Sequence, residues 1–270
     1  MGSLSSNPSR KFSCQGSAGA NILLERYAMQ IYSGLYDCNP DKDSGPCHQY
    51  LIEKGQKGRV HATFNCCADS RAHAGPVFKP DSGDIFLVAT AGALLRPYED
   101  PQPSDKWENI EYAAGVIGTK DMINCPHTEC GYMDGLVTLV EENCKPPGRE
   151  LRRSMELVSH LIDTAKTSFR ELNDGRKPNR QELLRRTEEE GALYTAGNIR
   201  DYVDKYHPEK QITTHCWLYD MRGGNILAAQ ESGRFAPITH LPTPTPCTGA
   251  CEHDKGRLRH MPAQYHYSEA

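Results

Sequence analysis

Two short segments concentrate the chemistry of this chain: Cys66-Cys67-Ala68-Asp69-Ser70-Arg71 and Pro126-His127-Thr128-Glu129-Cys130-Gly131. Cys67, His127 and Cys130 together offer two thiolates and one imidazole. That is a tetrahedral zinc set with one position left, and three protein ligands plus an open position is the pattern of catalytic zinc. The His-x-x-Cys spacing lets both side chains reach one ion from a single turn. Gly131 is expected to give that turn a tight exit. The helix that follows points its positive N-terminal end at the metal–thiolate centre and favours ionised Cys130. Asp69 and Arg71 stand at i and i+2 of an extended turn, so both side chains point beside Cys67. A guanidinium grips a carboxylate through two hydrogen bonds and keeps it ionised and oriented. An Asp so held accepts a hydrogen bond from zinc-bound water. Swung onto the metal instead, it closes the fourth position as an off-state.

Each part has an ordinary reading alone. Asp-Ser-Arg is a common turn or helix-cap tripeptide, and His-x-x-Cys is barely more specific. Cys66 reads as a packed strand cysteine facing away from Cys67 by strand alternation, and Cys125 and Cys216 as packing residues. The combination carries the signal, provided that both segments sit at strand ends. Arg59–Cys66, Asp84–Thr90 and Asp121–Cys125 read as strands, the second launched from the turn Pro80-Asp81-Ser82-Gly83. Ile212–Tyr219 and Asn225–Ala229 read as a hairpin around Met221-Arg222-Gly223-Gly224. Asn109–Ile117 and Met133–Asn143 are helix candidates, and Asn21–Leu35, Arg149–Leu172 and Arg180–Tyr206 carry helical patterns. Strands separated by crossovers predict an α/β fold, with a mostly parallel mixed sheet flanked by helices and an N-terminal helical arm. In such a sheet the strand C-termini converge on the ligand crevice, where Cys67, His127 and Cys130 can meet.

The composition excludes several classes. The chain has 270 residues, a net charge of −4 and 24% charged residues. It is large enough for one sizeable core, lacks the basic excess of a nucleic-acid binder, and has no apolar run long enough to span a membrane. Lys145–Glu190 balances its charges and reads as a solvated helical face with i,i+4 pairs. Eleven cysteines without a secretory signal argue against a disulfide scaffold and for a cytoplasmic protein. The acid-free N-terminus hints weakly at organelle targeting, and Met1-Gly2-Ser3-Leu4-Ser5-Ser6 fits an N-myristoylation pattern at Gly2. Residues 1–20 read as disordered, 21–236 as one zinc domain, and 237–270 as a Pro/His-rich tail. Cys247, Cys251, His253 and His260 in that tail match no common zinc-finger spacing.

With these motifs in place, the sequence resembles the β-class carbonic anhydrases. That family carries C-x-D-S-R and, about sixty residues later, H-x-x-C-G; Cys67–Arg71 and His127–Gly131 match both. Gly83-Asp84-Ile85-Phe86 resembles its P-G-D-x-F turn, Ile110-Glu111-Tyr112-Ala113 its S-x-E-Y-A helix, and Cys216-Trp217-Leu218-Tyr219-Asp220 its late G-W-x-Y-D hairpin. Ala196-Gly197-Asn198-Ile199 falls where the family has E-x-N-V. The resemblance implies one zinc ion per chain held by Cys67, His127 and Cys130, with Asp69 and Arg71 as the catalytic dyad. It also implies a homodimer or higher homo-oligomer and the reversible hydration of carbon dioxide to bicarbonate by metal-bound hydroxide.

One loop departs from the family pattern. Where the family has R-N-A-G-N, this chain has Ala89-Thr90-Ala91-Gly92-Ala93, and Thr90, Ala91, Gly92 and Ala93 are expected to line the substrate pocket. The loss of polar groups there motivates a second reading, a zinc hydrolase or lyase acting on carbonyl sulfide, carbon disulfide or a small organic molecule. A third reading is a non-catalytic zinc dimerisation module, against which the Asp69–Arg71 pair argues.

Overall fold

A computed structural model describes residues 60–238, apart from 79, 81–82, 102–105 and 147. The chain divides into two units, Met1–Pro237 and Ile238–Ala270, and all elements below belong to the first. The expected helix over 21–35, the Gly2 pattern, and the Cys/His cluster of the tail lie outside the described residues.

Six strands form one sheet: β1 (Ala62–Cys67), β2 (Ile85–Thr90), β3 (Asp121–Cys125), β4 (Thr213–Asp220), β5 (Asn225–Ala229) and β6 (Phe235–Pro237). Their order is β2-β1-β3-β4-β5-β6. The pairs β1/β2, β1/β3 and β3/β4 are parallel, and β4/β5 and β5/β6 antiparallel. From β1 the chain moves outward to β2, then crosses to the other side of β1 as β3. That reversal leaves a crevice at the carboxyl ends of β1 and β3. The register aligns Cys66 with Cys125, so the residues after both strands emerge side by side.

Helices follow the strands: α1 (Ala74–Phe78), α2 (Trp107–Tyr112), α3 (Gly131–Glu141), α4 (Arg149–Leu172) and α5 (Arg180–Tyr206). The stretch expected as one helix over 109–117 is α2 followed by a π-helical turn, Ala113–Ile117, closed by left-handed Gly118. Met133, Leu136 and Val137 of α3, Val158, Leu161 and Ile162 of α4 and Leu183 of α5 bury against Cys67 and Cys130. On the other face Phe64, Cys66, Ala74 and Cys125 pack together, so Cys66 and Cys67 do face opposite ways.

The charged run differs from a plain solvated face. Arg186 and Glu190 are an i,i+4 pair, but both are buried. Arg186 also donates to Ser168 Oγ at 2.8 Å, to Glu189 at 2.8 Å and to the Gly233 carbonyl at 2.9 Å. This joins α4, α5 and the β5–β6 turn, because a buried guanidinium must spend all its donors. α5 begins with a reciprocal cap. Asn179 accepts from Glu182 N, Glu182 accepts from Asn179 N, and Arg176 holds the Glu182 carboxylate at 2.7 and 2.8 Å. Asn179→Ala removes one half of the box and should cost about 1 kcal/mol of stability in urea unfolding; an unchanged midpoint would contradict this role.

Candidate metal centre

The elements bring the three expected ligands to one point. Cys67 ends β1. Its neighbour Ala68 is tied to the end of β2, donating to the Thr90 carbonyl at 2.8 Å. His127 follows β3 and is fixed by β4: Tyr219 N donates to the Pro126 carbonyl at 2.9 Å and Thr128 N to the Tyr219 carbonyl at 3.0 Å. Thr128 Oγ1 is further held by Met221 N at 3.0 Å. Cys130 is the N-cap of α3. The tight turn between His127 and Cys130 rests on Glu129, a non-glycine residue at φ 56°, and not on Gly131, where an added Cβ would meet nothing within 4 Å. Such a left-handed residue costs about 1 kcal/mol or more. Here the surrounding β4 contacts hold it, together with the ion pair between the Glu129 carboxylate and Arg222.

The ligand atoms of Cys67, His127 and Cys130 lie within 4.8 Å of one another, and all three residues are buried. The two Sγ atoms are 3.8 Å apart. A disulfide would need about 2.05 Å, whereas two thiolates on one tetrahedral zinc at about 2.3 Å stand about 3.8 Å apart. His127 Nδ1 lies 2.9 Å from the Thr128 carbonyl. A carbonyl only accepts, so Nδ1 carries the proton and Nε2 keeps its lone pair. Nε2 is buried and has no hydrogen-bond partner. An unsatisfied buried acceptor aimed at two sulfurs is costly in the protein alone and is what a metal would satisfy. The donor set therefore fits zinc.

The electrostatics separate this pair of thiols from the others. Cys67 is pulled down chiefly by its hydrogen bond with Cys130, and further by the Asp69 and Gly92 N–H groups, against its burial. Those N–H groups lie 3.4 and 3.3 Å from the sulfur. Cys130 is pushed up by sharing a proton with Cys67 and by burial, while N–H groups at the start of α3 act in the opposite sense. Burial pushes Cys66 up to about 11 and Cys216 up to about 12, and Cys125 higher still. These three remain thiols near neutrality, and Cys66 and Cys125 pack in the core.

Asp69 and Arg71 form the expected fork. Arg71 donates through Nε and Nη2 to the carboxylate at 3.0 and 2.6 Å, and through its backbone N at 3.0 Å. Their side chains are 21% and 59% exposed, so the pair contributes orientation more than stability. The Arg71 hydrogen bonds hold the Asp69 carboxyl well below the usual carboxylate range. Asp69 Oδ2 is 3.9 Å from His127 Nε2, so the carboxylate borders the ligand cluster while both its oxygens stay on Arg71.

The loop after β2 divides. Thr90 and Ala91 border a cavity of about 500 Å³ together with Tyr132, Leu94 and Leu157. Gly92 and Ala93, expected to line it as well, are buried and do not border it, and both have positive φ. A larger groove of about 920 Å³ runs along α5 and meets the turn around the cluster through Thr128, Glu129, Gly131 and Glu188.

Sequence reasoning missed Glu188, Asn65 and Asn124. Glu188 is buried, accepts the Cys130 N–H at 2.8 Å, and is pushed up to about 8 by burial against that hydrogen bond. The charged run around it hid it. The asparagines interrupt apolar strands, each just before a cysteine, and that repeated Asn-Cys step was their available signal.

The comparisons agree with this geometry. The sequence profile of the carbonic anhydrase family matches residues 62–226, more than half of the chain. A carbonic anhydrase of Pseudomonas aeruginosa is 24% identical over 205 residues, covering 74% of this chain and 88% of that protein. One from Synechococcus elongatus is 26% identical over 188 residues, 67% of this chain and 65% of that protein, so the match spans just under two thirds of this relative. Among solved structures, the β-carbonic anhydrase CcaA aligns with a TM-score of 0.63 at 20% identity, over 82% of this chain and 93% of that one. The tetrameric β-carbonic anhydrases of Sordaria macrospora align at 0.55 and 18% identity, over 77% and 94%. The chain belongs to the carbonic anhydrase family of that profile, and its fold is that of the β-class structures.

The cluster should take up one zinc per chain. Cys130→Ser replaces a thiolate by a hydroxyl that stays protonated near neutrality. Elemental analysis after dialysis should show most of the zinc lost, and retention at the parent level would remove Cys130 from the ligand set.

Proposed function

We propose that this protein catalyses the reversible hydration of carbon dioxide to bicarbonate, with one zinc held by Cys67, His127 and Cys130 and with Asp69 and Arg71 as the working dyad. The observation that carries this reading is the conjunction in one family member of the buried Cys–His–Cys cluster and an Arg-gripped carboxylate 3.9 Å from its imidazole. Zinc at that cluster supplies a Lewis acid that brings the pKa of water from about 15.7 towards 7.

The chain's own residues do the rest. Arg71 keeps Asp69 ionised, so the carboxylate is an acceptor only. It takes the hydrogen bond of the attacking water or of the bicarbonate hydroxyl and so orients an oxygen lone pair towards the carbon. Because Asp69 titrates far below neutrality, its own protonation does not set the pH profile near pH 7 to 8. The partial exposure of Asp69 and Arg71 leaves a short way for the released proton to reach solvent. Buried Leu136, Val137 and Leu161 behind the cysteines keep water from the far side of the cluster. The cavity bordered by Thr90, Ala91 and Tyr132 is the proposed route for substrate.

The working unit is proposed to be a homo-oligomer, a reading supported by the tetrameric state of the Sordaria macrospora enzymes; light scattering showing only monomer would contradict it. A cytoplasmic setting is part of this proposal. No helix among the described residues is long and apolar enough to cross a membrane.

Stopped-flow carbon dioxide hydration on zinc-loaded protein, with sulfide release from carbonyl sulfide measured alongside, tests the reaction. Acceleration of hydration at pH 8 and above is expected. Its absence with zinc present would refute the proposal, and sulfide release would then identify the substrate. Asp69→Asn should keep its zinc and lose roughly a hundredfold or more in turnover; full activity in that variant would refute the dyad.

A further inference from the structure

Two asparagines occupy positions where buried strands carry apolar side chains. Asn65 of β1 and Asn124 of β3 are register partners, 1% and 0% exposed. Asn65 Nδ2 donates to Asn124 Oδ1 at 2.7 Å and to the Ala93 carbonyl at 3.0 Å. Asn124 Nδ2 donates to the Ala192 carbonyl of α5 at 2.9 Å. Acceptor-only carbonyls on each amide nitrogen fix both orientations. Asn65 Oδ1 has no partner. Strand stability does not account for this arrangement, since two apolar side chains of the same shape would avoid an unpaired buried acceptor.

What the amides hold is the turn after β2. Ala93 is a non-glycine residue at φ 56°, and its carbonyl is the one Asn65 grips. Gly92, one residue earlier, is at φ 67° and has Tyr132 closely packed against it, 3.0 Å from where a Cβ would sit. Its N–H donates to Cys67 Sγ at 3.3 Å. The strand that carries Cys67 thus reaches, through Asn65 two residues earlier, to the turn that hydrogen-bonds Cys67.

We propose that Asn65 and Asn124 are positioning residues that clamp the Gly92–Ala93 turn so that the Gly92 N–H meets the Cys67 sulfur, setting how strongly that sulfur donates to a metal. This rests on the metal centre put forward under Proposed function. An N–H···S bond fixes the sulfur and draws electron density from it, and such outer contacts tune both affinity and the charge left on a metal.

The test compares cobalt-loaded wild type, Asn65→Leu and the double variant Asn65→Leu/Asn124→Leu. The single change strands the Asn124 acceptor, and the double change removes that orphan and should recover part of the lost stability. Both variants should move the sulfur-to-cobalt charge-transfer band to longer wavelength and weaken zinc binding about tenfold in chelator competition. A purely structural role would have band and affinity recover with stability in the double variant, and that result, or a wild-type band and affinity in either folded variant, would overturn the proposal. Wild-type protein that binds no cobalt would overturn it together with the metal reading. Cobalt binding with the expected shifts but no carbon dioxide hydration would overturn only the activity and support the clamp.

Discussion

Everything in this molecule depends on two parallel strands ending side by side. Because Cys66 of β1 is in register with Cys125 of β3, the residues just beyond them, Cys67 on one strand and His127 on the other, leave the sheet at one place. Cys130 is then delivered by the first turn of α3. The sulfurs end 3.8 Å apart with an unpaired imidazole nitrogen beside them. Without a metal this is a poor arrangement of a core. Two thiols share a proton and a buried acceptor goes unsatisfied, costs that most buried polar groups in proteins avoid. The rest of the fold can be understood as what keeps these atoms from relaxing apart.

Three supports do that work, each from a different direction. The end of β4 binds the His127 segment through Tyr219 and Met221. Glu188 of α5 takes the Cys130 N–H. The turn after β2 brings the Gly92 N–H to Cys67, backed by Asn65. Two of the five non-glycine residues with positive φ among the described residues, Glu129 and Ala93, stand at these supports. Local strain beside a functional cluster is sustained only when the surroundings over-determine it. The exposed dyad contrasts with this. Asp69 and Arg71 are local to one turn and need no distant element, which is why the sequence spacing alone suffices to pair them.

That contrast also explains what was legible beforehand. Sequence periodicity and turn signals located five of the six strands and the long helices α4 and α5, because apolar alternation and helical spacing are local properties. The meeting of Cys67, His127 and Cys130 was legible because the two motifs carry unusual residue types at strand ends. β6 was missed because three residues carry no periodic signal. The fold's reliance on buried Arg186, Glu188 and Glu190 was hidden because a balanced charged run looks the same whether it faces water or a neighbouring helix. The Asn65–Asn124 pair, 59 residues apart, left only a repeated Asn-Cys step in the sequence, which names no partner, and the assumption that Gly131 relieves the His-x-x-Cys turn failed because the left-handed residue is Glu129.

The central claim is a three-residue protein ligand set with a fourth position left for substrate chemistry while Asp69 stays on Arg71. X-ray absorption at the zinc edge of the zinc-loaded protein tests it most directly. Two sulfurs at about 2.3 Å and two nitrogen or oxygen scatterers at about 2.0 to 2.1 Å are expected, unchanged in Asp69→Asn. Four sulfurs would mean a closed structural site drawing on other cysteines, and a loss of one light scatterer in Asp69→Asn would place Asp69 on the metal; either result would contradict it.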